Sequence, residues 1–334
     1  MPVRTNHIPV SVPGTRGGTR AGESAAWAKA WALAMAPLRR ARDVARNLRL
    51  APPPLHGGAE FVPAGHFYSA IPARARVEEE LARVPTTPPR SLPGIDLREE
   101  EQLALVRAFE TYCDDHPFPT HREPSRRYWF ENPAYSYGDA LVLHAMIRHL
   151  RPRRIVEVGS GHSTCAILDT TELFLGGDVD LTAVEPFPDL LQSLLRPGDA
   201  SRIRIVAQEV QRAPMELFER LQDKDILFID STHVSKLGSD VNHLVLEVLP
   251  RLAPGVHVHF HDVFHPFEYP ACWLREGRAW NEAYLLRAFL CMNASYEVVL
   301  FNSFLAAFHR EYLARRMPLF LRNPGGSIWV RRRS

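Results

Sequence analysis

The chain has 334 residues, 46% of them hydrophobic, and a formal net charge of +2 at pH 7. This length and composition are typical of a globular protein with a substantial core. Aromatic and basic residues are not clustered together, which argues against a nucleic-acid footprint over the main part of the chain. No uninterrupted apolar run approaches the roughly 20 residues of a membrane span. We therefore expect a small-molecule partner, no nucleic acid and no transmembrane segment, and leave a homo-oligomer open.

The cysteines are few and widely spaced. The chain contains four, with no CxxC pair and no dense framework. This pattern favours a reducing compartment, the cytoplasm by default, and argues against a structural zinc site. The four are Cys113, Cys165, Cys272 and Cys291.

The first 137 residues divide into two regions. Residues 1–58 are Pro/Gly-rich pieces around one predicted helix, Ala25–Leu48, whose end is basic. We interpret them as a flexible peripheral segment, and docking of the helix on a membrane surface or a partner is the alternative. Residues 59–137 contain one clear helix, "DLREEEQLALVRAFETYC", among aromatic loops. This region is predicted to be a helical and loop-rich cap that packs on residues 138–334.

Regular alternation of strand and helix patterns characterises residues 138–334. Short strand-like runs such as "RRIVEV", "DLTAVE", "RIRIVAQ", "DILFID" and "VHVHFHD" alternate with helix-like stretches such as "PDLLQSLLR", "MELFERLQ" and "SDVNHLVLEVLPRL". Such alternation predicts a doubly wound α/β fold, in which helices cover both faces of a parallel sheet. Two further runs, "YEVVLFNS" and "SIWVRR", end the chain and are joined by a helical insert, "FLAAFHREYLARR".

A glycine turn comes after the first of these strands, in "VEVGSGHST". Gly159 and Gly161 allow close approach of a ligand to the backbone at the start of a helix. Thr164 stands where a dinucleotide-binding motif has its third glycine, so that motif is incomplete. Glu157 precedes the turn and suits an amine, while Glu185 ends the next strand and suits ribose hydroxyls. These features favour a nucleoside that carries an amino acid over a dinucleotide.

With these residues the sequence resembles the class I S-adenosylmethionine-dependent methyltransferases. "VEVGSGHST", "AVEP" and "ILFIDSTH" are similar to that family's glycine-rich motif, ribose-binding strand end and motif IV, and the resemblance covers roughly residues 138–334. It implies a mostly parallel seven-stranded sheet with the last strand antiparallel, and S-adenosylmethionine as cofactor. The implied cofactor-binding residues are Glu157, Gly159, Ser160, Gly161, Ser163, Glu185, Gln208 with its neighbour Glu209, and Asp230.

The segment from Asp230 to Val263 is similar in layout to the metal-binding and catalytic stretch of catechol-type O-methyltransferases. The resemblance implies that Asp230 and Asp262 match two magnesium-binding aspartates and that His233 stands where a lysine base does. Val263 replaces an asparagine ligand, so a divalent metal ion would have lost one ligand. Carboxylates with water can still hold magnesium, and the nearby histidines suit a softer ion.

The histidines of "VHVHFHD" cannot act as one group. In a strand, alternate side chains share a face, so His257 and His261 lie roughly 13 Å apart on the same side. We expect His257 and His259 to be neutral and hydrogen-bonded under a helix, and His261 to face the ligand edge beside Asp262. A histidine at 233 or 261 would accept a proton near neutral pH, with an aspartate orienting it. His265 lies on the next loop, and its role stays open.

Three aromatic stretches are candidates for the pocket wall, and packing roles are the alternative for each. They are "HPFEYP", "GRAWNEAYLLRAF" and "ENPAYSYGD". In the last, Asn132, Tyr135 and Tyr137 are predicted to close over the methionine end of the cofactor or over the acceptor.

Together these features predict a methyltransferase that acts on an oxygen or nitrogen of a polar small molecule, with Asp230, His233, His261 and Asp262 as catalytic residues. Three other interpretations are open on the sequence. One is transfer or cyclisation of the aminocarboxypropyl arm of the same cofactor. Another is a nicotinamide oxidoreductase, which Thr164 disfavours. The third is a non-catalytic scaffold with a methyltransferase fold.

Overall fold

A computed structural model describes residues 61–333, so the predicted helix Ala25–Leu48 lies outside the described residues. All elements below belong to the compact unit that begins at Val62. None of the helices described here is long and apolar enough to cross a bilayer.

Seven strands form one sheet in the order β3-β2-β1-β4-β5-β7-β6. Strands β1 to β5 pair in parallel, and β7 runs antiparallel to both β5 and β6. All four residues of β4 are buried, as expected for a central strand covered on both faces. The observed sheet confirms the predicted fold class. The strands are β1 (Arg154–Val158), β2 (Asp180–Val184), β3 (Ile203–Val206), β4 (Ile226–Ile229), β5 (His257–His261), β6 (Tyr296–Phe301) and β7 (Ser327–Arg332).

The helices lie between these strands and in the region before them. They are α1 (Arg74–Arg83), α2 (Glu99–Asp114), α3 (Tyr137–Leu150), α4 (His162–Leu175), α5 (Asp189–Leu194), α6 (Glu216–Glu219), α7 (Asp240–His243), α8 (Ala271–Arg275), α9 (Glu282–Leu290), α10 (Asn302–Phe308) and α11 (Arg310–Arg316).

Two stretches that read as single helices are broken. In "SDVNHLVLEVLPRL", α7 gives way to a π-helical turn, Leu244–Val248, and a 3₁₀ turn, Leu249–Arg251. Pro250 lacks the N–H that an α-helix needs, which accounts for the change near the end. In "FLAAFHREYLARR", the backbone at His309 leaves the helical region with φ −125° and separates α10 from α11.

The region predicted as a cap is attached to the sheet domain by buried polar contacts. Helix α2 packs against α3 and β6, and the fully buried Gln102 accepts a hydrogen bond from the backbone N–H of Phe301 at 2.8 Å. Farther along, Arg127 is buried and forms ion pairs with Asp169 at 2.8 Å and Asp199 at 2.6 Å. The region therefore packs directly on the sheet domain.

Strand order reverses between β1 and β4, since β2 and β3 lie on one side of β1 and β4 and β5 on the other. In open α/β sheets, the helices diverge at such a point and leave a crevice outside the carboxyl ends of the strands. A ligand site is therefore expected at the ends of β1, β2, β4 and β5.

Candidate active site

The turn after β1 fits closely against the end of β4. Gly159 has φ +79°, and a Cβ atom there would lie 2.0 Å from the backbone oxygen of Asp230. The N–H of Gly159 donates to the backbone oxygen of Val184 at 3.1 Å. The N–H of Asp230 donates to the backbone oxygen of Val158 at 2.8 Å. Only glycine suits this left-handed, tightly packed position. The turn and the end of β4 thus form one continuous wall.

Glu157 lies beneath this turn and is fully buried. The hydroxyls of Ser163 and Thr164 each donate to its carboxylate at 2.6 Å, and the oxygen of Thr164 also accepts the N–H of Gly161 at 3.0 Å. Burial raises the pKa of Glu157 to about 8, although the two hydroxyl hydrogen bonds act in the opposite direction. Glu157 and Ser163 are therefore hydrogen-bonded to each other at the start of α4.

Glu185 connects the glycine turn to the loop after β2. One carboxylate oxygen accepts the N–H of Ser160 at 3.1 Å, and the other accepts the N–H of Phe187 at 2.8 Å. The buried Ser160 hydroxyl has no hydrogen-bond partner among residues 61–333. At the end of β3, the half-buried Gln208 donates its amide to the oxygen of Arg212 at 3.1 Å. The predicted ribose-binding carboxylate and the glycine turn thus lie next to each other at the carboxyl ends of the strands.

The two predicted tyrosines occupy different places. Tyr135 is buried, its hydroxyl donates to the oxygen of Asp139 at 3.1 Å, and its ring centroid lies 5.1 Å from that of His261. Tyr137 stacks on Phe130 with ring centroids 4.7 Å apart, and its hydroxyl donates to Glu131 at 2.5 Å. Tyr135 is therefore a direct neighbour of the histidine edge, whereas Tyr137 belongs to a separate aromatic pair.

The four predicted catalytic residues come together at the ends of β4 and β5, and we call them the His/Asp cluster. The Oδ1 atom of Asp230 lies 3.4 Å from Nε2 of His233 and 3.4 Å from Nδ1 of His261. The two oxygens of Asp262 lie 3.7 Å from the same two nitrogens. Both imidazoles are buried, while the side chains of Asp230 and Asp262 are 35% and 19% exposed. The carboxylates are therefore the groups a ligand reaches first.

Two further carboxylates flank the cluster, and sequence reasoning did not assign either to it. Glu282, at the start of α9, lies 2.8 Å from Nδ1 of His233. Asp139, in the first turn of α3, lies 3.5 Å from Nε2 of His261. Both are buried. Both lie in stretches predicted to form the pocket wall, "GRAWNEAYLLRAF" and "ENPAYSYGD". The other signal was an acidic residue in the first turn of a helix, which is common for exposed glutamates too.

Carboxylates and imidazoles therefore alternate, and this changes their pKa values. Burial alone would lower the pKa of His233, but Asp230 and Glu282 outweigh it and raise that pKa to about 10. Asp262, Asp230 and Asp139 likewise overcome burial and raise the pKa of His261 well above its ordinary value. Both rings are thus protonated at neutral pH, whereas the sequence suggested that one would act there as an uncharged base.

The pKa values of the two aspartates, Asp230 and Asp262, are shifted in opposite directions. Burial would raise the pKa of Asp230, but His261 and His233 hold it well below its ordinary range. For Asp262, burial is the larger effect and raises the pKa despite both imidazoles. Asp230 is therefore a fixed negative charge, and Asp262 is the more basic of the two carboxylates.

The remaining histidines of this strand and loop lie outside the cluster. Burial lowers the pKa of His257 to about 4 and that of His259 well below its ordinary value, so both are neutral. The ring of His259 stacks on Phe228 at 4.1 Å, and neither of its nitrogens has a hydrogen-bond partner within the described part of the chain. The ring of His265 donates from Nε2 to the oxygen of Pro89 at 2.6 Å and holds the cap region.

The start of α9 also forms part of this edge. The ring centroid of Trp280 lies 4.4 Å from that of His233. Asn281 does not cap the helix with its side chain; instead, its Oδ1 accepts the N–H of Ser235 at 2.5 Å. This segment therefore holds the loop after β4, which carries His233.

Between residues 61 and 333, no three histidine, cysteine, aspartate or glutamate side chains form a group arranged to hold a metal ion. A metal ion on the two carboxylates Asp230 and Asp262 therefore remains a prediction from the sequence.

Comparison with known proteins gives two matches at the level of sequence. Residues 156–263 match a family described as a methyltransferase domain. A stretch of 174 residues is 34% identical to an uncharacterized protein of Archaeoglobus fulgidus, and the match covers 50% of this chain and 76% of that protein.

Solved structures with a similar chain trace include two methyltransferases. One is the O-methyltransferase TomG of Streptomyces achromogenes, in complex with SAM, at 15% identity and a TM-score of 0.39 over 69% of this chain and 90% of that one. The other is the methyltransferase PaMTH1 of Podospora anserina, bound to SAH, at 14% identity and a TM-score of 0.39 over 83% and 100% of the two chains.

Proposed function

Because the chain belongs to the class I S-adenosylmethionine-dependent methyltransferase family, we propose that it methylates an oxygen or nitrogen atom of a polar small molecule. The observation that carries this proposal is the shared wall of the glycine turn and the His/Asp cluster, since a Cβ at Gly159 would meet the oxygen of Asp230 at 2.0 Å. A cofactor over the turn would thus end beside the cluster.

S-adenosylmethionine would supply a methyl group on a positively charged sulfur. Glu185 would accept the ribose hydroxyls, and the buried Ser160 hydroxyl, which lacks a partner in the described chain, would gain one. Glu157 lies beneath the turn, and from there its carboxylate would stabilise the positively charged methionine amino group. The other residues assigned to this site are Gly159, Gly161, Ser163, Gln208, Asp230, Tyr135 and Tyr137.

Asp262 is the residue we assign to remove the acceptor's proton. Both imidazoles are already protonated at neutral pH, and Asp262 lies 3.7 Å from each, beyond hydrogen-bond distance. Its partly exposed carboxylate is thus free to accept a hydrogen bond from an acceptor hydroxyl. The proton would pass to Asp262 as the acceptor oxygen becomes nucleophilic, and His233 and His261 would orient that carboxylate.

If a divalent metal ion takes part, Asp230 and Asp262 would hold it, with water and the acceptor completing the shell. Such an ion would orient the acceptor oxygen and lower the pKa of the acceptor's hydroxyl group. The test is to treat the protein with a chelator and then add Mg²⁺ or Mn²⁺. A metal role requires that the ion restores lost activity, whereas full activity in the chelator removes the ion from the proposal.

The function itself is tested by binding and turnover. We expect S-adenosylhomocysteine to bind and raise the melting temperature, and NAD to have no effect, by calorimetry and thermal shift. Methyl transfer is then measured from S-adenosylmethionine with a labelled methyl group to a panel of small hydroxyl- and amine-bearing compounds. Absence of S-adenosylhomocysteine binding at millimolar concentration would reject the proposal.

Replacing Glu185 by Gln should weaken S-adenosylhomocysteine binding by about 10- to 100-fold, because hydrogen bonds from ribose hydroxyls to a charged acceptor contribute about 1.5–3 kcal/mol. Isothermal titration measures the change. Glu216→Gln is the matched control, since Glu216 is exposed in α6. Equal affinities for wild type and Glu185→Gln would show that Glu185 does not contact the cofactor.

A further inference from the structure

The start of α9 holds His233 through both its backbone and its side chain. The N–H groups of Asn281 and Glu282 donate to the backbone oxygen of His233 at 3.0 and 3.2 Å. The carboxylate of Glu282 lies 2.8 Å from Nδ1 of the same residue. His233 itself has φ +62°, a left-handed conformation that is uncommon for residues other than glycine. The loop after β4 is thus held in an unfavourable backbone conformation by contacts from one helix.

Glu282 is itself fixed. It is 1% exposed, and its second oxygen accepts the hydroxyl of Ser231 at 2.9 Å. The Ser231 oxygen also accepts the N–H of His233 at 3.2 Å. Ser231, His233 and Glu282 therefore form a closed set of hydrogen bonds in which each residue contacts the other two.

This set determines which nitrogen of His233 faces the cluster. With Nδ1 bonded to Glu282, Nε2 is the nitrogen that lies 3.4 Å from Asp230 and 3.7 Å from Asp262. Trp280 packs against the ring at 4.4 Å and limits its rotation. A carboxylate behind an imidazole fixes the orientation and tautomer of the ring in this way in many enzyme and metal sites.

The other flanking carboxylate is placed differently. Asp139 lies 3.5 Å from His261, and its oxygens also accept bonds from Asn302 at 3.1 Å and from the N–H of Gly326 at 3.3 Å. Its charge is shared with these donors, and its contact with the imidazole is long. Glu282 therefore constrains its histidine more strongly than Asp139 does.

We propose that Glu282 is a positioning residue for the acceptor side of the site, which fixes the His233 ring so that Nε2 faces Asp230 and Asp262. This inference rests on the proposed function and extends it. Glu282 exchanges no proton with the acceptor in this role. It keeps Nε2 of the ring directed at these two carboxylates, 3.4 and 3.7 Å away, before the acceptor arrives.

The proposal is tested with Glu282→Gln, which keeps the size of the side chain and removes its charge. We expect kcat for the best acceptor of the panel to fall about 10- to 100-fold, as for other residues that orient an imidazole from behind, with the affinity for S-adenosylhomocysteine unchanged. Glu311→Gln is the matched control, because Glu311 is also in the first turn of a helix but is exposed.

The decisive readout is the hydrogen bond at Nδ1 of His233, measured at one fixed pH by NMR of the ¹⁵N-labelled imidazole. In the wild type, the Nδ1–H should give a resonance protected from exchange with water, because Nδ1 lies 2.8 Å from the carboxylate of Glu282. In Glu282→Gln this resonance should move and exchange faster, because the charged acceptor of the hydrogen bond is lost.

Ser231→Ala is the second variant, needed in case Glu282→Gln fails to fold. It removes one anchor of Glu282 and should change the Nδ1–H resonance of His233 in the same direction by less. If neither variant changes that resonance, Glu282 does not position His233 and the inference is wrong. Failure of the wild-type protein to bind S-adenosylhomocysteine would reject the proposed function instead, and the NMR result would still be informative about Glu282.

Discussion

Replacing Asp262 by Asn is expected to lower kcat by about 10²- to 10⁴-fold, the range for loss of a general base. Asparagine keeps the shape of the side chain but cannot take the acceptor's proton. Among the residues of the cluster, Asp262 combines a pKa raised by burial with partial exposure and the absence of a close hydrogen bond to either imidazole. We therefore expect this substitution to have the largest effect on rate.

The pH profile separates this role from a structural one. Because the base acts when ionised, wild-type activity should fall as pH falls through the pKa of Asp262, at a pH above the ordinary aspartate range. The Asp262→Asn variant should lack this limb. Both proteins should bind S-adenosylhomocysteine equally well by calorimetry.

Asp178→Asn is the control, since Asp178 is exposed before the N-terminal end of β2, on the opposite edge of the sheet. If Asp262→Asn retains wild-type kcat, the acceptor's proton goes elsewhere. A loss of cofactor affinity equal to the loss of rate would instead assign Asp262 to the cofactor.

Replacing Gly159 by Ala is expected to abolish S-adenosylhomocysteine binding and to lower the free energy of unfolding by about 3 kcal/mol or more. Two effects add. The φ of +79° is strained for any residue with a side chain, and the new Cβ would lie 2.0 Å from the backbone oxygen of Asp230. Since backbone cannot rotate away as a flexible side chain can, the turn or the end of β4 must move. Calorimetry measures binding, and urea unfolding measures stability.

The control for this prediction is Gly198→Ala. Gly198 also has a left-handed φ, +95°, but a Cβ there meets no atom within 4 Å. It therefore reports the backbone strain without the clash, at about 1–2 kcal/mol. If the two variants are equally stable and both bind S-adenosylhomocysteine, the glycine turn is not shaped by its contact with β4.

The fold could be predicted because its signals are local. Each strand reads as a short strand-like run, and "VEVGSGHST" contains both the end of β1 and the first turn of α4. The helices were predicted less accurately than the strands. The stretch after Asp240 has the apolar spacing of one helix, but it passes through π and 3₁₀ turns, and Pro250 lacks the N–H that an α-helix needs near its end.

The His/Asp cluster was predictable for a related reason. Asp230 and Asp262 each come directly after a buried strand, and parallel strands end at the same edge of a sheet, so adjacency in the sheet brings them together. The roles assigned to the histidines were less complete. Reasoning from the unperturbed pKa of an imidazole suggested a neutral base, whereas the buried carboxylates around both rings keep them protonated.

The sequence by itself thus determined the fold class, the glycine turn and the acidic strand ends of this methyltransferase. The tertiary structure alone decided that Glu282 reaches His233, 49 positions away, and that Asp139 reaches His261, 122 positions away. Strand ends are specified by patterns of a few residues. The contacts of Glu282 and Asp139 depend on how two helices pack against the sheet. The raised pKa values of His233 and His261 depend on the same packing, because these two carboxylates contribute to them.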